Sequence, residues 1–488
     1  MRVAWVASEM TPFAQTGGLG DVAGALPAVL AGLKHQVAAF LPKYRTIDLE
    51  RRPFTSRPEE IRVPLGDRTE VARLWEGQRE GVRVILLDHD GFYDREGLYQ
   101  EKGADYPDNA GRFIFFSRGV LEAVKVLDLQ PDVIHCHDWQ SGLIPAYVKT
   151  VYGSDPYFAD IASLLTIHNL GYQGVFPAAV FPLTGLPGDL FTPGGVEFWG
   201  KVNFLKAGLV FADLVSTVSL TYSQEIQTPE CGHGLDAVLR QRAGDLSGVL
   251  NGVDYQDWNP RTDPYLVGTY SPEDLAGKAA CKRDIQEMMG LPTRAGVPLL
   301  GVVSRLAYQK GIDLIVATAE RLLSLDVQMV LLGTGDVELE RALQNLHRRF
   351  PDRLAVQIRF DVALSHKILA GADIVLIPSR YEPCGLNQMY SLAYGTIPVV
   401  RATGGLHDTI IPFDPGAGTG NGFTFTRAEA GDLLEAVRRA IALFHDKAVW
   451  GRLMKNAMAA DFSWERPARE YERLYRLAVE RRRGRPTL

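Results

Sequence analysis

Residues 374–388 read IVLIPSRYEPCGLNQ, in which four apolar residues run directly into a loop that carries a single carboxylate, Glu382. The apolar run, Ile374 to Ile377, has the length and composition of a buried strand, and a new helix is predicted from about Gln388. In open α/β sheets, ligands bind just beyond the carboxyl ends of the strands. Gly385 allows close approach of the backbone, and the N–H groups of the following helix favour an anionic or polyhydroxylated ligand. Glu382 is therefore predicted to contact substrate, although this segment taken alone would also suit an acid that caps the next helix.

Size and composition are typical of a soluble enzyme with more than one domain. The chain has 488 residues, of which 46% are apolar and 23% charged. Two or three domains are expected, with two favoured, because one ordinary core does not grow to this size. The net charge of −6 argues against non-specific nucleic-acid binding. The start of the chain lacks the pattern of a signal peptide, and no apolar run approaches membrane-spanning length. Four scattered cysteines suit free thiols, so a cytoplasmic location is expected.

The N-terminal half alternates strand-like and helical patterns, which predicts a parallel sheet covered on both faces. After the first predicted strand, the loop QTGGLGD (15–21) opens a helix and is a natural site for phosphate or sugar hydroxyls. Gly18, Gly20 and Ala23 nominally match the dinucleotide fingerprint G-x-G-x-x-A. A long loop precedes these glycines, and the next strand ends without an acid, so a nicotinamide or flavin role is disfavoured.

A strand end at Asp88-His89-Asp90 has two interpretations. An Asp-x-Asp pair can hold a divalent metal for a nucleotide sugar, but an ordinary loop is the favoured interpretation. Tyr93 follows in a segment rich in glycine, tyrosine and acids, a composition that suits either sugar binding or an ordinary surface loop.

Two further strands of this half end in histidine-containing clusters. His135 and His137 face the same way along one strand, so a metal pair is conceivable, but positioning a neighbour is favoured. Asp138-Trp139 lies at the end of that strand, and His168-Asn169 ends the next one before a glycine-rich loop. Because such strand ends share one edge of a doubly wound sheet, these clusters predict one face of a binding cleft.

The C-terminal half begins a second alternation, and the domain boundary is predicted at about residue 243. The strand from Leu299 to Val303 ends in SRLAYQKG (304–311), where Arg305 and Lys310 match what a diphosphate needs. The alternative is that both cations lie on one solvated face.

Three other strand ends of this half add groups that suit a nucleotide. Gly333-Thr334-Gly335-Asp336 predicts a second backbone cradle, and Phe360 offers a ring on which a flat base can stack. Thr403-Gly404-Gly405-Leu406 follows the strand after the Glu382 loop. A diphosphate site, a stacking ring and a carboxylate near glycine-backed amides together predict a nucleotide-sugar site.

These motifs, in this order and over essentially the whole chain, resemble the bacterial glycogen synthases and plant starch synthases. The resemblance rests on residues 15–21, 135–143, 166–174, 304–311, 378–388 and 403–406. It implies an α/β fold of two facing Rossmann-like doubly wound domains, the GT-B type, with the site in the interdomain cleft. The implied domains are 1–242, with a C-terminal helix at about 467–488 crossing back, and 243–466. The implied reaction moves glucose from ADP-glucose to the non-reducing end of an α-1,4-glucan such as glycogen with retention of configuration, and it releases ADP.

The resemblance also implies roles for individual residues. Arg305 and Lys310 would stabilise the diphosphate as charge builds on the leaving group, and Glu382 would face the glucose. His168 would hold the donor sugar from the opposite domain, and Asp138 would act beside it. Tyr93 and Trp139 fall on the acceptor side, and Phe360 would stack on adenine. The remaining donor-binding residues implied are Gln15, Thr16, Gly17, Gly18, Asp21, Asn169, Asn251, Ser304, Gly335, Cys384, Gly385, Leu386, Thr403, Gly404 and Gly405.

The sequence departs from the family pattern at two positions. Gln15 stands where the family usually has a lysine that helps to hold the phosphates, which bears on donor affinity and base preference. Tyr390 stands where many other retaining transferases carry a second glutamate, and bacterial glycogen synthases commonly lack that acid too. Glu382 is the only obvious carboxylate nucleophile for a double displacement. The same-face route is favoured, and it requires no metal or other cofactor.

Three alternatives accompany this interpretation: a transferase of the sucrose- or trehalose-forming type that uses a UDP-sugar, a catalytically inactive glucan-binding protein, and, more distantly, a dinucleotide oxidoreductase. Neither nucleic acid nor a membrane is an expected partner, and the sequence leaves the oligomeric state open.

Overall fold

A computed structural model of the chain describes residues 1–51, 53–101 and 103–484. The chain folds into two compact units. The first contains Met1–Gly252 and the described residues from Trp464 onward, and the second is Val253–Ser463. No helix in these described ranges is long and apolar enough to cross a membrane.

The first unit is built on a nine-stranded sheet, seven of whose strands are parallel. In sheet order the strands are Leu246–Gly248, Leu214–Thr217, Ala162–Ile167, Val133–His137, Arg2–Val6, Gln36–Pro42, Val82–Asp88, Arg68–Arg79 and Thr55–Leu65. The last two form an antiparallel hairpin on the edge. Strands of a parallel sheet are buried where helices cover both faces, and every residue of Ala162–Ile167 is buried, including Ser163 and Thr166. Strand order reverses between Arg2–Val6 and Val133–His137, which is where such a sheet binds ligands.

Helices and small strands complete the first unit. The α-helices are Gly18–Gly32, Asp90–Tyr93, Asn109–Val126, Ile144–Lys149, Phe181–Thr184, Phe204–Phe211, Leu220–Glu225, Asp236–Gln241 and Glu465–Arg483. The small strands are Gln100–Glu101, Ala104–Asp105, Val175–Pro177, Glu197–Phe198 and Lys201–Asn203.

The second unit carries a six-stranded sheet in which every neighbouring pair is parallel. Its strands, in sheet order, are Leu354–Ile358, Gln328–Gly333, Leu299–Val303, Ile374–Ile377, Ile397–Arg401 and Phe423–Phe425. Numbered along the chain, this is the order 3-2-1-4-5-6 of the Rossmann fold, so the switch point lies between Leu299–Val303 and Ile374–Ile377. The helices are Ala276–Met288, Ile312–Leu323, Val337–Arg349, Val362–Gly371, Asn387–Ala393, Gly404–Thr409, Ala430–Phe444 and Lys447–Met458.

The division between the units differs from the predicted one. The prediction of a boundary at residues 242/243 was wrong because Leu246–Gly248 pairs in parallel with Leu214–Thr217 and therefore belongs to the first sheet. The C-terminal helix spans Glu465–Arg483 and packs on the first unit, where Tyr475 is fully buried. Residues 485–488 of the predicted helix lie outside the described residues.

Candidate active site

The switch point of the second unit holds a buried ion pair. Lys310 Nζ lies 2.8 and 2.6 Å from the two carboxylate oxygens of Glu382. Ser379 Oγ donates to the same carboxylate at 2.8 Å. The Glu382 side chain is only 6% exposed and that of Lys310 is 21% exposed. The carboxylate predicted to meet substrate is therefore fixed in one orientation by three hydrogen bonds.

The two loops that carry this ion pair are joined by one backbone–backbone and one side chain–backbone hydrogen bond. Arg380 N donates to Gln309 O at 2.8 Å, and Gln309 Nε2 donates to Tyr381 O at 3.3 Å. Gly311 has a φ of 68°, and a Cβ atom there would lie 2.1 Å from Pro378 O. Only glycine allows this approach, which brings the residue after Lys310 against the start of the Glu382 loop.

A further clamp joins the same loops through the side chain of Arg380. Its guanidinium group donates to both oxygens of Asp313 at 2.6 and 2.8 Å and lies 3.6 Å from the centre of the Tyr308 ring. A bidentate pair of this kind fixes orientation as well as distance. Sequence reasoning missed Arg380 and Ser379 as site-forming residues, although both lie in the loop between Ile377 and Glu382.

The glycine pair after strand Ile397–Arg401 backs the Glu382 loop. Gly405 N donates to Glu382 O at 3.1 Å. A Cβ atom on Gly404 would lie 1.9 Å from Glu382 O, and one on Gly405 would lie 2.0 Å from Cys384 O. Thr403 is buried beside them, and Gly385 has a φ of 70°. These predicted donor-binding residues thus form one packed cluster around Glu382.

Other predicted donor residues of the second unit lie at neighbouring strand ends. Arg305 is exposed, with a guanidinium nitrogen 3.5 Å from Gln309 Oε1, and Ser304 precedes it directly. The Phe360 side chain is 79% exposed, which leaves a ring face open to a base. Gly335 N, by contrast, donates to Glu340 Oε1 at 2.9 Å, so the predicted backbone cradle is already filled by a carboxylate of the following helix.

Cys384 and Leu386 lie on the same loop as Glu382. The Cys384 side chain is 4% exposed, so the thiol is largely shielded from solvent. Leu386 is half-buried and immediately precedes the helix Asn387–Ala393. Asn387 Nδ2 donates to Val303 O at 2.7 Å, which joins this helix to the strand on the other side of the switch point.

In the first unit, a carboxylate that the sequence analysis missed organises the glycine-rich loop. Glu9 accepts hydrogen bonds from Thr16 N at 2.5 Å and Gly17 N at 3.0 Å, and its other oxygen accepts from the Thr16 and Tyr99 hydroxyls at 2.7 and 2.8 Å. The N–H groups expected to be free for phosphate are therefore partly occupied. The available indication was an acid three residues past the first strand, at the edge where ligands bind.

Gln15, which replaces the usual lysine, makes a local contact. Its Nε2 donates to Asp21 Oδ1 at 2.9 Å and lies 3.4 Å from Gly17 O. Gln15 and Gly18 are exposed at the start of helix Gly18–Gly32. The loop therefore presents an amide and backbone groups, with no side-chain cation among residues 15–21.

Asp138 and His168 are brought together beyond the ends of the neighbouring strands Val133–His137 and Ala162–Ile167. The Asp138 carboxylate accepts from His168 N at 2.7 Å and from Asn169 N at 3.4 Å. Burial raises the pKa of Asp138 to about 7, and burial lowers the pKa of His168 to about 3. His168 Nε2 lies 2.9 Å from His137 Nδ1. The imidazole of His168 is thus neutral near pH 7 and positioned by its backbone and by a second ring.

Comparison with known proteins agrees with this geometry. Residues 2–241 match the starch synthase catalytic domain, and residues 287–452 match glycosyl transferases group 1. The chain is 48% identical over 487 residues to a glycogen synthase of Koribacter versatilis, with both chains covered in full. It is 50% identical over 477 residues to a glycogen synthase of Anaeromyxobacter sp., covering 98% of this chain and 99% of the other. The chain belongs to the glycogen and starch synthase family.

Solved structures agree with this membership. The catalytic domain of starch synthase IV from Arabidopsis thaliana, bound to ADP and acarbose, superposes with a TM-score of 0.91 at 35% identity, covering 98% of this chain and 99% of that one. Sucrose-phosphate synthase from Thermosynechococcus elongatus shares the fold, with a TM-score of 0.61 at 19% identity and 98% of both chains covered. The predicted fold class, two Rossmann-like domains of the GT-B type, is confirmed.

One acceptor-side prediction, Tyr93, does not fit the structure of this family member, whereas the prediction for Trp139 stays a prediction. Tyr93 is fully buried, and its hydroxyl donates to Arg112 O at 3.0 Å, so it cannot touch a glucan in this conformation. Trp139 is half-buried, and its ring packs edge-on to Phe113 at 4.8 Å and lies beneath Gly174, where a Cβ atom would approach it to 2.4 Å. Tyr93 belongs to the buried core and Trp139 packs against that core, because local composition did not reveal which rings the helix Asn109–Val126 covers.

The conceivable metal pair at His135 and His137 is a hydrogen-bonded core cluster instead. His135 Nδ1 lies 2.8 Å from the Tyr475 hydroxyl, and its Nε2 lies 2.6 Å from Thr166 Oγ1. The favoured interpretation, positioning a neighbour, fits His137, whose ring contacts His168. The described residues contain no group of three or more His, Cys, Asp or Glu side chains arranged to hold a metal ion.

Asn251 lies at the end of the first unit. Its side chain is 5% exposed, and its Oδ1 is buried without a hydrogen-bond partner in the described part of the chain. A buried acceptor without a partner is unfavourable unless a ligand or water satisfies it. Asn251 thus retains an unused acceptor, and its role in binding the donor stays a prediction.

Proposed function

We propose that this protein is a glycogen synthase that transfers glucose from ADP-glucose to the non-reducing end of an α-1,4-glucan with retention of configuration. The observation that carries the proposal is the similarity to a glycogen synthase at 48% identity over 487 residues, which is essentially the full length of both chains. The fixed Lys310–Glu382 pair at a Rossmann switch point supports it. The ADP and acarbose bound to the related starch synthase are ligands of the proposed kind.

In this proposal the second unit binds the nucleotide and the leaving group. Arg305 and Lys310 compensate the charge that develops on the diphosphate as the glycosidic C1–O bond breaks, and each such group is typically worth a few kcal/mol in the transition state. The exposed ring of Phe360 stacks on adenine. The cluster of Gly404 and Gly405 fixes the loop of Glu382 beside the sugar.

The first unit supplies groups that bind the transferred glucose. Neutral His168 offers one ring nitrogen as a hydrogen-bonding group without adding charge, because burial keeps its pKa near 3. Asp138 positions the backbone of the neighbouring loop, since its carboxylate accepts hydrogen bonds from the N–H groups of His168 and Asn169. We therefore assign Asp138 a positioning role rather than contact with the reacting atoms.

The same-face route accounts best for the state of Glu382. A carboxylate that accepts three hydrogen bonds, one pair of them from an ammonium group, is a weakened nucleophile. In the same-face route the bond from C1 to the ADP oxygen breaks, the acceptor hydroxyl adds to C1 on the same face, and its proton passes to the departing phosphate. Arg305 and Lys310 provide the charge compensation, so this route requires no metal ion.

We infer a cytoplasmic location from the same observations that support a reducing compartment. No disulfide joins any of the four cysteines among the described residues, and Cys136, Cys281 and Cys384 are buried. Neither nucleic acid nor a membrane has a place in the proposed reaction.

The decisive experiment measures transfer of radiolabelled glucose from ADP-glucose to glycogen, followed by digestion of the product with an exo-acting α-1,4-glucosidase. We expect incorporation that the glucosidase releases, that persists with a chelator, and that falls by orders of magnitude in Glu382→Ala. UDP-glucose is run in parallel because Gln15 brings no charge to the phosphates. A many-fold preference for UDP-glucose would overturn the base assignment, and absence of transfer from either donor would overturn the proposed function.

A further inference from the structure

A β-hairpin of the first unit displays a tryptophan that its backbone does not favour. Strands Glu197–Phe198 and Lys201–Asn203 pair antiparallel with Phe198 opposite Lys201, so Trp199 and Gly200 form a two-residue turn. Both have positive φ, 53° and 75°, the sign pattern of the type I′ turn that prefers Asn-Gly. A bulky residue held at positive φ costs about 1–3 kcal/mol.

Burial does not offset this conformational cost. The Trp199 side chain is 81% exposed, the largest exposed fraction among the large apolar side chains of the described residues. An aromatic ring that is neither favoured by its turn nor packed in the core is a candidate for a role in binding.

A pocket of about 280 Å³ opens beside the ring. Trp199 and Phe198 line it together with Glu197, Lys206 and Val238. The Lys206 ammonium group is directed to the carbonyl oxygen of Pro193 at 2.6 Å, and Glu197 Oε1 accepts from Gly200 N at 2.5 Å. Apolar walls with a few fixed polar groups are the usual composition of a site for a small polar ligand.

The pocket is structurally continuous with the loop that begins at His168. Gly234, in the pocket wall, lies against the Phe198 ring, where a Cβ atom would approach it to 3.0 Å. The neighbouring carbonyl of His233 accepts from Gln173 Nε2 at 3.1 Å. Tyr172, the residue before Gln173, is 50% exposed. A second aromatic surface therefore lies on the loop that joins this pocket to the candidate active site.

We propose that Trp199 and this pocket form an accessory binding site for the α-glucan chain, distinct from the residues that act on the transferred glucose. The proposal rests on the proposed function, which supplies a polymeric glucan as the ligand. A tryptophan offers a rigid ring face on which the apolar C–H face of a glucosyl unit packs. The Glu197 carboxylate then accepts hydrogen bonds from the hydroxyl groups of that glucosyl unit. A second contact along the same polymer raises the effective concentration of chain ends at the active site.

The test uses a substitution that removes the indole ring and at the same time suits the turn, because asparagine is favoured at this position of a type I′ turn. Trp199→Asn suits the type I′ geometry, so this variant should melt at or above the temperature of the parent protein. Its dissociation constant for glycogen, measured by affinity electrophoresis without any donor, should rise about three- to tenfold. Trp199→Tyr should bind close to the parent. In transfer assays, KM for glycogen should rise more than KM for maltotriose.

The matched control is Val126→Asn, at the end of helix Asn109–Val126, where the side chain is 44% exposed. That variant should bind glycogen like the parent. The proposal would be overturned if Trp199→Asn bound glycogen with an affinity within twofold of the parent. It would also be overturned if the substitution changed only the self-association of the chain and left glycogen binding unaltered. Because binding is measured without ADP-glucose, this outcome is distinct from absence of glucosyl transfer, which would overturn the proposed function instead.

Discussion

Replacing Lys310 with methionine tests whether the ion pair with Glu382 supports the fold as well as the reaction. The substitution leaves a carboxylate that is 6% exposed with only the Ser379 hydroxyl, among the described residues, as a side-chain donor. Removing one partner of a buried pair costs about 3 kcal/mol. For a unit of this size, that cost lowers the melting temperature of the second unit by about 6–12 °C. Turnover should also fall by about 10²- to 10³-fold, since a preorganised cation is lost.

Calorimetry of the parent, Lys310→Met, the double variant Lys310→Met/Glu382→Gln and Arg349→Met separates the effect on stability from the effect on turnover. Adding Glu382→Gln to Lys310→Met removes the uncompensated charge, so the double variant should regain about 2 kcal/mol of stability without regaining turnover. Arg349→Met is the matched control, because its pair with Glu320 is also 2.6 Å long but both side chains are more than half exposed. Exposed pairs contribute at most about 1 kcal/mol. If Lys310→Met destabilises the unit no more than Arg349→Met does, the reasoning about the buried pair is refuted.

Three other substitutions test the site. Gly405→Ala should abolish most activity in the transfer assay, because its Cβ atom would lie 2.0 Å from Cys384 O. Gly431→Ala, whose Cβ atom would meet no tertiary neighbour within 4 Å among the described residues, should leave activity unchanged and stability equal to or slightly above that of the parent. Asp138→Asn should flatten the pH dependence of stability. In the parent, the Asp138 carboxyl has a pKa raised to about 7, so its contribution to stability is full below about pH 4 and is lost as pH rises through 7. The melting temperatures at pH 5 and pH 8 should therefore differ less in the variant than in the parent. Glu9→Gln should raise KM for ADP-glucose severalfold, because it weakens the hydrogen bonds that hold Thr16 and Gly17 in the loop predicted to bind sugar hydroxyls, and an unaltered KM would contradict that role.

The strands and the edges at which they end could be predicted from the sequence. Runs such as Ile374–Ile377 and Leu299–Val303 are apolar throughout because both sheet faces are covered, and the structure has both strands with these bounds. Parallel pairing then places their carboxyl ends side by side. The proximity of Lys310 and Glu382 follows from that topology, although 72 residues separate them in the chain.

Side-chain orientation could not be predicted in the same way. The glycines and acids around Tyr93 suggest an accessible ring, yet helix Asn109–Val126 packs over this region and buries Tyr93 completely. The strand Leu246–Gly248 was predicted in the wrong unit for a related reason. It is only three residues long, and its partner strand, Leu214–Thr217, lies some thirty positions earlier, so no local pattern identifies the pairing.

The glycine-rich loops of the two units share a feature that explains why their sequences only partly predicted how they bind a phosphate. In each unit a carboxylate of the protein binds backbone N–H groups that a phosphate would otherwise occupy: Glu9 holds Thr16 and Gly17, and Glu340 holds Gly335. A dinucleotide enzyme needs such groups open to the pyrophosphate at the start of its first helix. Here an anion at residues 16–17 would have to displace Glu9 or lie beside its negative charge. The diphosphate is therefore better accommodated near the side-chain cations Arg305 and Lys310, which favours the transferase over the oxidoreductase on physical grounds alone.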